Sequence, residues 1–243
     1  MIFLSRLTIR RLFIFIMKKY IPNTITSLNL FSGCVGILFV LKGDYLSAFY
    51  CVLASGIFDF FDGLVARLLH VKSLIGKELD SLADVVSFGF LPGAILYTML
   101  KGVSTSEYLP YLGFLVTIFS ALRLAKFNID ERQTSDFIGV NTPMNTFLIA
   151  SLPFIAEVYP QYINNIYILL AVTFITSLLL VSELRLFSMK LSSLSWKENK
   201  FKYLFLIFSL VLIIGLKVLA IPVIFVLYII FSNLHFRQAP ITE

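Results

Sequence analysis

Charge is what this chain lacks: only 14% of its 243 residues are Asp, Glu, Lys or Arg, against roughly a quarter in an average soluble domain. With 58% apolar residues and a mean hydropathy of +0.91, an ordinary soluble enzyme is excluded, because so much apolar surface needs a lipid solvent. Cysteine is scarce as well. Cys34 and Cys51 are the two present, both inside apolar runs, so neither a disulfide scaffold nor a cysteine-based metal site is supported, and the redox compartment is left undetermined. The 12 Gly and 8 Pro follow no period, which excludes collagen-like and low-complexity chains, and the hydrophobicity excludes disorder. A net charge of +6 raises nucleic acid as a partner. That reading needs the basic residues on one exposed face, but here they sort by loop, so no nucleic-acid partner is expected.

What is present is apolar length. A membrane-crossing helix takes about 20 residues, so the chain has room for about eight helices and no separate extramembrane domain. Apolar windows fall near 24–41, 45–69, 76–100, 107–127, 144–159, 163–182, 202–216 and 218–233. Each is read as helix, since an open sheet cannot satisfy its backbone in lipid. The fifth is short and contains Pro153, and only Lys217 and its neighbours separate the last two. The expected fold class is an all-α integral membrane protein, a polytopic bundle of six to eight transmembrane helices, with eight preferred.

The first residues have the hydrophobicity of a signal peptide, but Arg6, Arg10 and Arg11 interrupt the apolar core that cleavage needs. At about 100° per residue these arginines and Lys18 share an arc of about 140°, which predicts an amphipathic helix over 1–21 lying in the membrane interface. All 20 basic residues except Lys42, Lys101 and Lys217 fall on one side of an eight-span arrangement. By the positive-inside rule that side, with both termini, is cytoplasmic; merging the last two spans moves only the C-terminus.

Acids at span ends stand out against this background. Asp59 and Asp62 lie near the end of the second window, Asp80 and Asp84 near the start of the third, and an acid in a membrane helix is costly. Only Arg67, Lys72 and Lys77 are near in sequence, too few for neutralisation, so divalent cations supply the missing charge. On a helix Asp59, Asp62, Gly63, Ala66 and Arg67 share an arc of about 140°. Between the acids and the arginine that face carries only Gly and Ala, which lets a bulky group approach, although small residues also serve helix packing. Gly76, Asp80, Asp84 and Ser87 share an arc of about 80°, while Glu78 points elsewhere and reads as a solvated charge. All-oxygen ligands suit Mg²⁺ or Mn²⁺ rather than zinc. His70 and His235 sit at span ends and read as interfacial. Paired hard cations beside an arginine are apparatus for displacement at phosphorus; an ion-transport pathway is the other reading of acids in a membrane.

The residues Asp59, Asp62, Gly63, Ala66, Arg67, Gly76, Asp80 and Asp84 fill every position of the CDP-alcohol phosphotransferase signature, and the chain resembles that family. The resemblance implies a bundle of membrane helices, a two-metal site, a CDP-linked substrate bound from the cytoplasm, and release of CMP. It makes Asp59, Asp62, Asp80 and Asp84 the metal ligands, with Asp84 also the general base. Asn23, Thr26, Gly63, Ala66, Arg67 and Gly76 become nucleotide-binding positions.

Pro22-Asn23, Thr26, Asn29 and Gly33 in the first span, Asp80 to Gly89 with Pro92 in the third, and Arg123-Leu-Ala-Lys-Phe-Asn128 after the fourth resemble the branch that makes phosphatidylserine. On this resemblance 22–143 are the catalytic helices and 144–243 additional helices of the same bundle. Two departures are Lys126, where the branch usually has Arg, and Asn141 in Gly139 to Pro143, where it has Gly-Leu-Pro-x-Pro. A lysine cannot form a bidentate fork, so Arg123 is the candidate for the serine carboxylate, with Asn128 as hydrogen-bond partner.

The reaction so implied takes CDP-diacylglycerol and serine to phosphatidylserine and CMP, in the inner membrane, with the active site and N-terminus cytoplasmic. Membrane lipid is an expected partner, and a homodimer is compatible with it. The alternatives are a sister enzyme taking glycerol 3-phosphate or an inositol compound, and a divalent-cation transporter. A phosphate-bearing acceptor would want more cations than the Arg123, Lys126 and Arg132 found between 120 and 143. A transporter would want acids along a continuous path.

Overall fold

The computed structural model describes residues 2–71, 73–130, 136–189 and 195–238, with 2–17, 19, 197, 198 and 238 as backbone only. A helical stretch coincides with each predicted window. These are α1 (Ile2–Leu41), α2 (Tyr45–Leu68), α3 (Leu74–Asp84) running through a π-helical segment (Val85–Phe90) into α4 (Leu91–Val103), and α5 (Leu115–Ile129) behind a 3-10 turn. Then come α6 (Thr142–Val158), a short α7 (Pro160–Ile163), α8 (Ile166–Val181), α9 (Trp196–Leu216) and α10 (Ile221–Gln238).

Among the described residues, five stretches are long and apolar enough to cross a membrane: Tyr20–Leu41, Tyr45–Leu68, Leu74–Val103, Leu109–Ile129 and Asn199–Arg237. The chain is an all-α, multi-pass membrane protein. The last stretch is broken at Lys217, whose φ is 52°. Beyond the break the chain turns back, since Phe205 meets Tyr228 with ring centroids 5.5 Å apart and Phe201 meets His235 at 6.4 Å. The α9/α10 hairpin has arms of 21 and 18 residues, each about 27–32 Å long and close to the hydrocarbon thickness of about 30 Å. With 17 and 16 residues, α6 and α8 run about 24–26 Å, just short of it.

The boundary expected after residue 21 is no break in the helix. The 40 residues of α1 run through it with Pro22 inside, a length of about 60 Å, and the apolar crossing stretch begins at Tyr20. Lys18 is exposed; the side chains of Arg6, Arg10 and Arg11 are not described, and Lys72, Arg132 and Lys190 of the loop charges lie outside the described residues.

The chain divides into two compact units, 1–91 and 92–243. In the first, α1 packs along α2 and α3. The α2–α3 connection is fixed at both ends. His70, with φ 52°, closes α2 through bonds from His70 N to Arg67 O (3.1 Å) and Val71 N to Ala66 O (3.0 Å), the two bonds of a Schellman cap. Ser73 then caps α3 by accepting from Gly76 N at 3.2 Å, satisfying a donor that would otherwise be orphaned.

In the second unit α5 packs on α8, and Val140, Leu148, Leu186, Phe187, Phe205, Phe225 and Tyr228 form a buried cluster. The all-helical expectation omits one element here. β1 (Phe137–Ile138) pairs antiparallel with β2 (Arg185–Leu186), tying the loop after α5 to the loop after α8. Gly139 leaves this pair with φ +76°, and a Cβ there would lie 2.6 Å from Leu180 O, so only glycine fits. Asn141 then caps α6 by accepting from Met144 N at 2.8 Å, which gives this chain's departure from the branch pattern a structural role.

Candidate active site

The acidic stripes expected on the second and third helices converge within the first unit. Asp62 and Asp84 are buried, and Asp59 and Asp80 are half-buried. Single carboxylate oxygens of Asp59, Asp62 and Asp80 all lie within 4.8 Å of one another. Three ionised carboxyls that close repel strongly in a dry setting, and the side chains that donate to the acidic residues, Thr26 to Asp62 and Asn29 to Asp84, are neutral. Thr26 Oγ1 donates to Asp62 Oδ2 at 2.6 Å and Asn29 Nδ2 donates to Asp84 Oδ1 at 3.1 Å. Asp80 Oδ1 is buried with no hydrogen-bond partner among the described residues. Clustered hard oxygens with an unfilled acceptor fit a divalent cation. Asp84 stands one turn beyond Asp80 on the same face, outside the tight group of three. Glu78 is exposed, in line with a solvated charge.

Beside the carboxylates opens a cavity of about 470 Å³, lined by Asn23, Thr26, Asp62, Gly63, Ala66, Ser73, Gly76, Lys77 and Asp80 among others, a size that suits a small ligand. Five of the six expected nucleotide positions therefore share one space. A Cβ on Gly63 would meet nothing within 4 Å, so helix packing does not explain that glycine, whereas room for a ligand does. At Gly76 a Cβ would lie 2.9 Å from Asn23 Oδ1, so that glycine lets α1 and α3 close together. The start of α3 lies on the cavity wall with Lys77, where the positive end of the helix dipole and a cation favour an anion. Arg67, the sixth position, is exposed and donates from Nε to Gly63 O of its own helix at 3.0 Å.

The model of the family described as CDP-alcohol phosphatidyltransferase matches residues 19–179. This chain belongs to that family. Among similar curated family members, each named CDP-diacylglycerol–serine O-phosphatidyltransferase, a Helicobacter pylori protein is 32% identical over 204 residues, 82% of this chain and 84% of its own. One from Methanocaldococcus jannaschii is 32% identical over 165 residues, 68% of this chain and 72% of its own. One from Bacillus subtilis is 36% identical over 140 residues, 56% of this chain and 76% of its own.

The acceptor candidates belong to the second unit. Arg123 is buried on α5 with its guanidinium 5.6 Å from the Phe127 ring centroid. It borders a space of about 10 Å³ shared with Ile138, Leu180 and Ser182, room for about one water. Asn128 is half-buried. Lys126 Nζ is ion-paired with Glu183 Oε1 at 2.6 Å. Residues that the sequence reading gave no chemical role are Asn29, Ser55 and Ser87, all at 0% exposure; a polar side chain inside an apolar span was the available signal.

Proposed function

We propose that this protein transfers the phosphatidyl group of CDP-diacylglycerol to the hydroxyl of L-serine, releasing CMP, with its active site on the cytoplasmic side of the inner membrane. The observation that carries the reading is the convergence of Asp59, Asp62 and Asp80 beside the cavity holding Gly63, Ala66 and Gly76; the names of the relatives point to serine.

The carboxylates of Asp59, Asp62 and Asp80, with Asp84 beside them, would hold Mg²⁺ or Mn²⁺, two ions in the full site. Such ions neutralise phosphoryl oxygens and the leaving group in displacement at phosphorus. The chain's own residues do the rest. Asn23, Gly63, Ala66 and Gly76 enclose the nucleotide, and the start of α3 with Lys77 faces its phosphates. Asp84 takes the proton of the serine hydroxyl as its oxygen bonds to the phosphorus bearing diacylglycerol and the bond to CMP breaks. The site lies where spans end, so the lipid tails stay in the bilayer while the polar chemistry meets water.

The test is a detergent-solubilised assay with CDP-diacylglycerol, offering serine, glycerol 3-phosphate or inositol and following CMP. Release with serine alone is expected. A preference for either other acceptor would reassign the protein to a sister activity, and no release with any of them would overturn the reading.

A further inference from the structure

Asn29 lies in the apolar crossing stretch of α1 and is fully buried, at 0% exposure. Burying an amide in hydrocarbon is costly unless it is paired, and helix stability gives no reason to keep one. Its partner is Asp84, 3.1 Å from Asn29 Nδ2. An ionised carboxylate only accepts, so the amide nitrogen must face it. That leaves Asn29 Oδ1 buried and without a hydrogen-bond partner among the described residues, an acceptor open to a hydroxyl or water that the chain does not supply.

Asn29 is itself held from both acid-bearing helices. Its backbone carbonyl accepts from Ser55 Oγ of α2 at 3.2 Å and from Ser87 Oγ of the π-helical segment at 3.0 Å. Ser87 reaches that carbonyl because residue 33 is glycine: a Cβ there would lie 2.4 Å from Ser87 Oγ and 2.8 Å from its Cα. The π-helical segment begins immediately after Asp84, and such segments recur where a helix serves a functional site.

We infer that Asn29 is a positioning residue for the transfer reaction: it fixes the rotation of the Asp84 carboxyl by holding one oxygen, leaving the other to take the acceptor's proton, while Ser55 and Ser87 lock Asn29 in place. The inference rests on the proposed role of Asp84. It differs from nucleotide binding, since Asn29 is not on the cavity wall, and from the cluster of Asp59, Asp62 and Asp80, which Asn29 does not touch through any of the hydrogen bonds described.

The test uses full-length protein in detergent, with kcat and both KM values measured alongside Mn²⁺ binding by electron paramagnetic resonance. Asn29→Ala should lower kcat about 10- to 100-fold, as loss of alignment at a reacting group does. KM for CDP-diacylglycerol and KM for serine should stay within about twofold, and Mn²⁺ affinity should fall by less than kcat does. Asn29→Leu keeps most of the volume and removes the amide donor without adding an acid, so it should lose at least as much kcat, and it decides the matter where Asn29→Ala fails to fold. A kcat within about twofold of wild type in a folded variant would overturn the inference. So would Mn²⁺ affinity or KM changing as much as kcat, because the residue would then be a ligand or a packing element. Wild-type turnover beside undiminished variants would refute this inference alone, whereas a wild type inactive with every acceptor would overturn the proposed function and this inference with it.

Discussion

The hydroxyl of Thr26 donates to Asp62 Oδ2 across 2.6 Å, from a side chain only 3% exposed. Thr26 also reaches Pro22 O at 3.1 Å, so its oxygen is held between its own helix and a carboxylate of the acidic cluster. The family resemblance counts this threonine among the nucleotide positions, and it does border the cavity. Its hydrogen bond acts on Asp62. Thr26→Val, which keeps the shape and removes the hydroxyl, should raise the Mn²⁺ concentration for half-maximal CMP release by about 10- to 100-fold, the usual cost of losing a partner behind a ligand. Thr26→Ser should recover most of that loss. An unchanged Mn²⁺ requirement in Thr26→Val would show that the bond does not tune the site.

Removal of a single carboxylate should be far more severe. Asp59→Asn, Asp80→Asn and Asp84→Asn should each abolish CMP release, and EDTA should do the same to the wild type, reversibly on adding Mg²⁺ or Mn²⁺. The exposed Glu78, on the same helix but off the acidic face, supplies the control: Glu78→Gln should retain most activity. Full turnover in metal-free buffer would remove the metal from the mechanism.

The two glycines of the cavity should separate ligand room from helix packing. Gly63→Ala adds a methyl group into open space, so the protein should fold as the wild type does, within about 0.5–1 kcal/mol and toward greater stability because alanine is the better helix former. KM for CDP-diacylglycerol should nevertheless rise. Gly76→Ala places the methyl group 2.9 Å from Asn23 Oδ1, so the end of the Asn23 side chain must turn aside, and this variant should be less stable than Gly63→Ala by up to about 1 kcal/mol. Thermal unfolding and nucleotide titration on both variants check this, and equal loss of stability in the two would remove the distinction.

Much of this arrangement is legible without coordinates because it is periodic. Asp59, Asp62, Gly63 and Ala66 fall on one helical face by arithmetic alone, and so do Gly76, Asp80 and Asp84. Apolar runs mark the helices because lipid forbids other ways of satisfying the backbone. Contacts between helices are a different matter. Nothing local in Asn29 reveals that its amide meets a carboxylate 55 residues away, nor does Ser87 reveal that its hydroxyl reaches back to α1. The two-residue strands β1 and β2 carry no pattern at all. The turn at Lys217 was legible as one cation in an apolar run, while the direction of the following helix depended on rings of α9 and α10 that must meet.

The proposed orientation rests on the loop charges and can be tested with single cysteines in a background lacking Cys34 and Cys51. Lys77→Cys, at an exposed position on the cavity wall, should label with a membrane-impermeant reagent only from the cytoplasmic side. Ser106→Cys, exposed in the connection before α5, should label only from the opposite side, since Lys101 is the one basic residue near that end. Labelling of Lys77→Cys from outside would invert the topology and move the nucleotide site with it.

The proposed recognition of the serine carboxylate rests on Arg123. Lys126 is tied to Glu183 at the surface, a pair worth little by itself, while Arg123 is buried and keeps the planar fork that a carboxylate suits. If that fork grips serine, the water-sized space beside it must widen when serine arrives. Arg123→Lys keeps the charge and loses the paired geometry, a loss of about 1.5–3 kcal/mol for a charged hydrogen bond. That corresponds to a rise of about 10- to 150-fold in serine KM, where KM reports binding. KM for CDP-diacylglycerol should hold within about twofold, because the proposed nucleotide positions all belong to α1, α2 and α3. Lys126→Ala should raise serine KM less than Arg123→Lys does. A serine KM within twofold of wild type in Arg123→Lys would make this arginine a packing anchor for α5, resting on Phe127 and the loop at Ile138, and the acceptor's carboxylate would need another cation.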